Sequence, residues 1–493
     1  MKVAADEKQT AEKNLNGLRP GANLLGRTHH PALGIRIPEM FLPGVLASLD
    51  KHNCAAGFML SFGRETAPES IIQAPPGRYE ITLGHTGTSI RKYLIHGSRA
   101  ARNAGVPVEM EADHLIITES SAMAVKRIEG VKTPRLVGPA ALEKSIRYNQ
   151  KALDEAIYTG VVRAFTTDTS DLFDEEIEKK KGSPLTKAFK NAFSKEEQDR
   201  LLKTYVGRFR FKAADGKPVR IELTKERLMM TALKFKKSIE INARIYEDIR
   251  KRMKHPFSFE VSMDETENPT PAAQLYFYLA EWKHLGHDCD FVAPNIGFKK
   301  REDYTDNLTT LRNRVRSLHA IAQNFGALLS FHSGSGSSPY SGKGQDVYPV
   351  LLECTGKRLK YKISGIYFEL LMEILAGHKK GTDARILYEL IHKEVMDFLR
   401  GQIENQGQLD SRILRKQVSV YDSAKQMFDP RADAFRYHSF LALNFRDQKG
   451  RRYFRDRLIR LYNEDFKLKK QIDQEMEALT SRLIEGLQFQ NNF

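Results

Sequence analysis

Hydrophobic and polar positions along this chain follow two regimes. Short apolar, β-prone runs end in turn residues, and longer stretches with helical spacing follow them. The clearest strand runs are Cys54–Phe62 (CAAGFMLSF), Val106–His114 (VPVEMEADH), Arg163–Thr169 (RAFTTDT) and Phe257–Glu265 (FSFEVSMDE). Asp290–Ile296 (DFVAPNI), Ala327–His332 (ALLSFH) and Leu359–Ile366 (LKYKISGI) continue the series. Strands alternating with helices imply βαβ units and a parallel sheet, so the expected fold is α/β, a (β/α)8 TIM-type barrel. The alternation lapses at 174–254, which reads as a mostly helical insertion with one strand-like piece at Val219–Leu223. Beyond about Tyr388 the pattern is helical and closes on an amphipathic stretch from Tyr453 to Leu487. The predicted organisation is a first part of the barrel at 1–173, the insertion at 174–254, a second part carrying the site at 255–387, and a helical C-terminal region at 388–493. That last region reads as a cap, an oligomer contact or an appendage.

Side chains alternate across a strand, so two runs can be sorted by face. Phe257, Phe259, Val261 and Met263 share an apolar face, and Ser258, Glu260, Ser262 and Asp264 share the opposite one. In Ala327–His332, Leu328, Ser330 and His332 lie opposite Ala327, Leu329 and Phe331. A barrel strand is apolar outward, where helices cover it, and polar inward near a catalytic mouth. A single run facing solvent would alternate in the same way. Here His332 precedes a loop of glycines and serines, and Asp113 and His114 end another strand, which is where barrels place catalytic groups. Glu260 lies deeper, and on an inner face it could equally pair with a lysine such as Lys362. Two histidines and a carboxylate, His114, His332 and Glu260, form the usual ligand set of a catalytic divalent site. The loop Ser333–Gly344 (SGSGSSPYSGKG) could present backbone N–H groups to an anion or be a plain connection.

Composition narrows the function class without fixing it. The chain has 493 residues, 41% hydrophobic and 28% charged, which is a globular composition. No apolar run of about 18 residues occurs, and the polar N-terminal stretch MKVAADEKQTAEKNLNG lacks a secretory core, so no membrane span or leader is expected. Cys54, Cys289 and Cys354 are too scattered for a disulfide framework, which fits a reducing cytoplasm. The net charge of +16 comes from 78 Lys and Arg against 62 Asp and Glu. It is densest at Lys225–Lys254 and Arg446–Lys470, where interspersed acids point to solvated helix faces. A positive field also attracts small anionic substrates.

The same residues carry a resemblance. VPVEMEADH resembles the Asp-His strand of class II metal-dependent aldolase barrels, and RAFTTDTS their following Asp-bearing strand. FEVSMDETENP is similar to the strand with an inward Glu, SFHSGSGSS to the His-Gly-rich turn, and KYKISG to a Lys-bearing strand. The order along the chain agrees. The 174–254 stretch and Asn295, where that pattern has a further metal-binding His, depart from it. The phrases VEMEADHLIITES, AFTTDTSDLF, FEVSMDETENPTP, DFVAPNIGFKKREDY and SFHSGSGSSPYSGKG resemble the tagaturonate epimerase family more specifically.

That resemblance implies interconversion of D-tagaturonate and D-fructuronate in hexuronate catabolism, with a divalent ion. Zn, Mn, Ni and Co share these ligands. The two ketoses differ at C4, which the C2 ketone does not acidify, so retro-aldol cleavage and re-addition are the expected chemistry. Asp113 is the candidate for proton transfer at the C4 hydroxyl, and Asp264 or Glu265 for the opposite face. Asp168, Asn295 and Ser333 are candidates for substrate contact, and Lys343 and Lys299 for the C6 carboxylate. The partner expected is thus a small sugar acid, with no nucleic acid and no membrane, and a homo-oligomer remains open. The alternatives are an aldolase that releases both fragments, and a nucleic-acid-binding protein using the basic helices.

Overall fold

A computed structural model describes residues 17–75, 86–120, 123 and 137–493. The polar stretch at the N-terminus lies almost wholly outside the described residues. The strands are β1 (Gly21–Ala22), β2 (His30–Gly34), β3 (Ala56–Ser61), β4 (Pro107–Ile116), β5 (Val162–Asp168), β6 (Gly207–Lys212), β7 (Pro218–Leu223), β8 (Ser258–Met263), β9 (Phe291–Pro294), β10 (Leu328–Phe331) and β11 (Leu359–Ile363). β2, β3, β4, β5, β8, β9, β10 and β11 pair in parallel in that order, and β11 pairs with β2 to close an eight-stranded barrel. β1 adds a short pairing at the start of β4.

The barrel strand missing from the sequence reading is β2. Its residues, HPALG, carry a proline and a glycine and show no alternation. All five positions are buried, because the barrel covers both faces of the strand and removes any polar side.

The 174–254 stretch divides. A two-helix piece and the antiparallel β6–β7 hairpin are added material, and only the second strand of that hairpin was legible. The long helix Lys225–Arg252, by contrast, stands between β5 and β8 in the chain and packs on the helix Ala272–His284, so it supplies a barrel βα unit. Its buried stripe runs through Leu228, Phe235, Ile239, Ile245 and Ile249.

The stretch from Tyr453 to Leu487 is broken at Asp465 into helices Tyr453–Glu464 and Phe466–Gly486. The Asp465 side chain accepts from the N–H groups of Lys467 and Leu468, a helix N-cap. The second helix lies on Pro38–Lys51 so closely that a Cβ at Gly44 would sit 2.2 Å from the Asp473 carbonyl oxygen. A short turn in the same region, Ser439–Asn444, brings Phe440 to the barrel mouth.

Candidate active site

The interior of the barrel is charged from its middle upward. Glu111, Lys360, Lys362 and Glu260 are each at most 4% exposed. Lys360 Nζ lies 2.7 Å from Glu111 Oε2 and 3.0 Å from Glu260 Oε2. Lys362 Nζ reaches Glu111 Oε1 at 2.7 Å, Glu260 Oε1 at 3.0 Å and Asp113 Oδ1 at 2.6 Å. Unpaired, each of these charges would be costly to bury, and the lattice of opposite signs offsets that cost. Pairing of Glu260 with Lys362 is therefore realised.

Asp113 and His114 are adjacent in sequence yet both line the mouth. A regular strand would send them to opposite faces. Here the pairing of β4 with β5 shifts register between Ala112 and Leu115, and His114 takes a left-handed φ of 51°. This bulge turns both side chains inward. Asp113 Oδ2 then accepts from His114 Nδ1 at 2.7 Å, which leaves Nε2 as the other ring atom for a ligand. Burial opposes ionisation of Asp113, but His114 and Lys362 hold its pKa far below the ordinary carboxylate value.

Across the mouth, His332 follows β10. Its ring centroid is 5.1 Å from that of His114. Nδ1 lies 3.1 Å from Asp264 Oδ1 and Nε2 lies 2.6 Å from Glu260 Oε1. Burial disfavours the imidazolium, yet Asp264 and Glu260 raise His332 to about 9. Asp264, half-buried and facing His332, is lowered to about 2.

Ligand atoms of His114, Asp264 and His332 all lie within 4.8 Å of one another, and those of His114, Asp168 and Glu265 form a second such group. The first is a two-imidazole, one-carboxylate set suited to a divalent ion with open positions. The second already contains a cation. Arg64 Nη1 lies 2.5 Å from Glu265 Oε1 and Nη2 lies 3.4 Å from Asp168 Oδ2. Lys300 Nζ adds a contact of 2.8 Å to the same Glu265 oxygen. Burial pushes Glu265 upward, but Arg64 and Lys300 hold it well below the carboxylate range.

The loop after His332 is tied down. Asp303 Oδ1 accepts from the Ser337 N–H at 2.8 Å and from Ser341 Oγ at 2.7 Å, and Oδ2 accepts from Ser337 Oγ at 2.6 Å. Lys343 Nζ, wholly buried, donates to the carbonyls of Lys299 at 2.5 Å and Ser335 at 3.1 Å. At Gly334, a Cβ would stand 2.6 Å from the Lys362 carbonyl oxygen, so the loop approaches β11 only because no side chain is there.

A family model described as tagaturonate epimerase matches residues 147–406. The chain belongs to the tagaturonate epimerase family. A curated relative, the tagaturonate/fructuronate epimerase of Thermotoga maritima, is 28% identical over 215 residues, which cover 43% of this chain and 41% of that protein. The chain thus matches about two fifths of the length of that relative. Among solved structures, a glycerol-complexed fructuronate-tagaturonate epimerase from Cohnella laeviribosi superposes with a TM-score of 0.66 at 18% identity, covering 95% of this chain and 83% of that one. The native form of the same protein gives 0.64 at 19%, covering 95% and 82%. At that identity the likeness establishes the barrel and its helical additions.

Against the sequence reading of this family member, the structure gathers Asp113, His114, His332, Asp264, Glu265 and Ser333 around one mouth. Glu260 lies below this mouth. It sits one step deeper, joins neither group of close ligand atoms, and is held by Lys360, Lys362 and His332. Asp264 occupies the carboxylate position beside the two histidines instead. Asp168 reaches the site but is turned to Arg64 and to the Ser170 N–H. Asn295, Lys343 and Lys299 do not line the mouth. Asn295 ties its own loop, donating to the Thr266 carbonyl at 2.7 Å and accepting from the Gly297 N–H at 2.8 Å. Lys343 is the loop buckle just described, and Lys299, 76% exposed, pairs with Glu302.

Arg36, Arg64, Lys300 and Arg301 also line the mouth, and no sequence pattern marks them. Arg64 stands in GRET and Arg36 in GIRIP, where neither has a motif around it. Lys300 was one position from a residue that was singled out.

Proposed function

We propose that this chain is a divalent-metal-dependent epimerase that interconverts D-tagaturonate and D-fructuronate. The observation that carries the reading is one barrel mouth in which His114, His332 and Asp264 converge beside Asp113, in a member of the tagaturonate epimerase family. His114, His332 and Asp264 would hold the ion, as imidazole and carboxylate donors suit Zn, Mn, Ni or Co alike. When bound, the ion would supply Lewis acidity for the C2 carbonyl of the substrate, an effect of several kcal/mol.

The rest of the chemistry falls to side chains. Asp113, kept ionised by His114 and Lys362, takes the proton of the C4 hydroxyl. The C3–C4 bond breaks, its electron pair enters the three-carbon enediolate, and C4 becomes an aldehyde. Rotation of the aldehyde presents its other face to C3. The new bond forms there, and the C4 oxygen recovers its proton. Glu265 accepts from Arg64 and lies against Lys300, and it holds these cations in place. Asp264 serves His332 and the ion. Asp113 can serve both directions through the rotating aldehyde, with Asp264 or Glu265 as the candidate at the opposite face.

The deciding experiment is NMR of D-tagaturonate incubated with EDTA-treated protein, with and without added divalent ion. D-Fructuronate is expected only with metal. Accumulation of free three-carbon fragments would make the protein an aldolase, and an unchanged spectrum in both samples would overturn the reading.

A further inference from the structure

We propose that Lys300 is the anchor for the substrate carboxylate, the group that makes this mouth select a sugar acid over a neutral ketose. The inference rests on the sugar-acid reading of the site above.

Among the described residues, five lysine and arginine side chains line the mouth, and four are already paired with buried carboxylates. Arg36, 7% exposed, lies 2.5 Å from Glu65 and packs its guanidinium over Phe440. Arg64, equally buried, holds Glu265 and Asp168. Arg301 is paired with Glu369 at 3.1 Å and donates to the Arg436 carbonyl. Lys362 is sunk among Glu111, Asp113 and Glu260. A second carboxylate gains less from such a group, whose charge is already offset by a buried carboxylate.

Lys300 differs on each count. Its side chain is 27% exposed, and its contact with Glu265 Oε1 is shared with Arg64. An ammonium has three donors, so protons remain for a ligand entering the mouth. Its position is also fixed. Lys343 holds the carbonyl of Lys299, and the Tyr437 hydroxyl, 3.4 Å away, holds that of Lys300 itself. A backbone clamped from two sides carries its side chain to a set place. Through Glu265, Lys300 is one carboxylate removed from His114. A six-carbon acid with C2 and C3 at the histidines can therefore set its far end against Lys300. Lys299 points outward to Glu302, so neighbouring lysines have separate tasks.

The test uses the full-length, metal-loaded protein, its Lys300→Gln and Lys300→Arg variants, and two probes, D-tagaturonate and the neutral ketose D-tagatose. Binding by titration calorimetry and turnover by NMR are measured for each. Lys300→Gln is expected to weaken D-tagaturonate binding about tenfold or more, with KM rising in step and kcat changing less. D-Tagatose binding should stay within about twofold, and Lys300→Arg should recover most of the loss. Unchanged D-tagaturonate affinity in Lys300→Gln, or equal weakening of both sugars, would overturn the anchor. Wild-type protein that binds D-tagaturonate without converting it would sink the epimerase reading alone, since the binding comparison still decides Lys300. Wild-type protein that binds no D-tagaturonate would overturn both.

Discussion

On the proposed mechanism Asp113 is the residue on which the chemistry turns, and its environment predicts how it fails. Asparagine in its place keeps the size and one acceptor but cannot take a proton. Asp113→Asn is expected to retain its divalent ion, because His114, Asp264 and His332 are untouched, while kcat falls about 10²–10⁴-fold. Metal analysis beside steady-state kinetics checks both halves. His332→Ala should lose metal and activity together. At this scale the sequence was legible where chemistry is concentrated in a strand end, as in EADH and SFHSG. For Glu260 it left a metal ligand and a lysine pair open, because one strand cannot show what stands across the barrel. Lys360 and Lys362, on β11, decide what Glu260 does. Arg64 and Lys300 were hidden for the same reason, as their importance lies in partners far along the chain.

At the scale of elements, two irregularities shape the site. The β4 bulge points neighbouring residues the same way, and the serine loop after β10 is folded on Asp303. The alternation that located β4, β8 and β10 carries no trace of a bulge, since Asp-His reads the same in straight or bent strands. Nor does a run of glycine and serine reveal whether it is slack or tied. Asp303→Ala removes three hydrogen bonds within that loop. Limited proteolysis with mass-spectrometric mapping should then find new cleavage within 333–344, absent in the parent, with KM raised several-fold. An uncut loop would show that Lys343 and Gly334 suffice to hold it.

The molecule as a whole stores charge along its axis. Below the lysine pairs, Glu109 accepts from the Leu25 and Gly26 N–H groups through Oε1 alone. Burial lifts its carboxyl from an ordinary 4.5 to about 8, against the pull of Lys360 and with the push of Glu111. The folded chain thus keeps a proton that the unfolded chain releases. Glu109 contributes its stability fully below the unfolded value of 4.5, and that contribution is lost as pH rises through about 8. Melting of the parent should therefore decline between pH 6 and pH 9 more than melting of Glu109→Gln, by roughly 2 °C or more. Parallel pH profiles would show that Glu109 is ionised throughout. The barrel was legible as a whole from alternating runs, although one strand, β2, was not. A strand buried on both faces has no polar side to betray its period. The same global view explains the C-terminal helices: their pattern showed that they are helices, whereas their place, with Phe440 at the mouth, follows from packing alone.

Arg64 has a consequence for counting. Its guanidinium stands between Glu265 and Asp168, in the second group of ligand atoms that shares His114. The five residues of these two groups could be read as a dinuclear centre. On the metal reading proposed above, the arginine would make it mononuclear by filling the other seat with a charge that no chelator removes. Elemental analysis of protein equilibrated with excess divalent ion should plateau at one equivalent per chain, and Arg64→Met should admit a second.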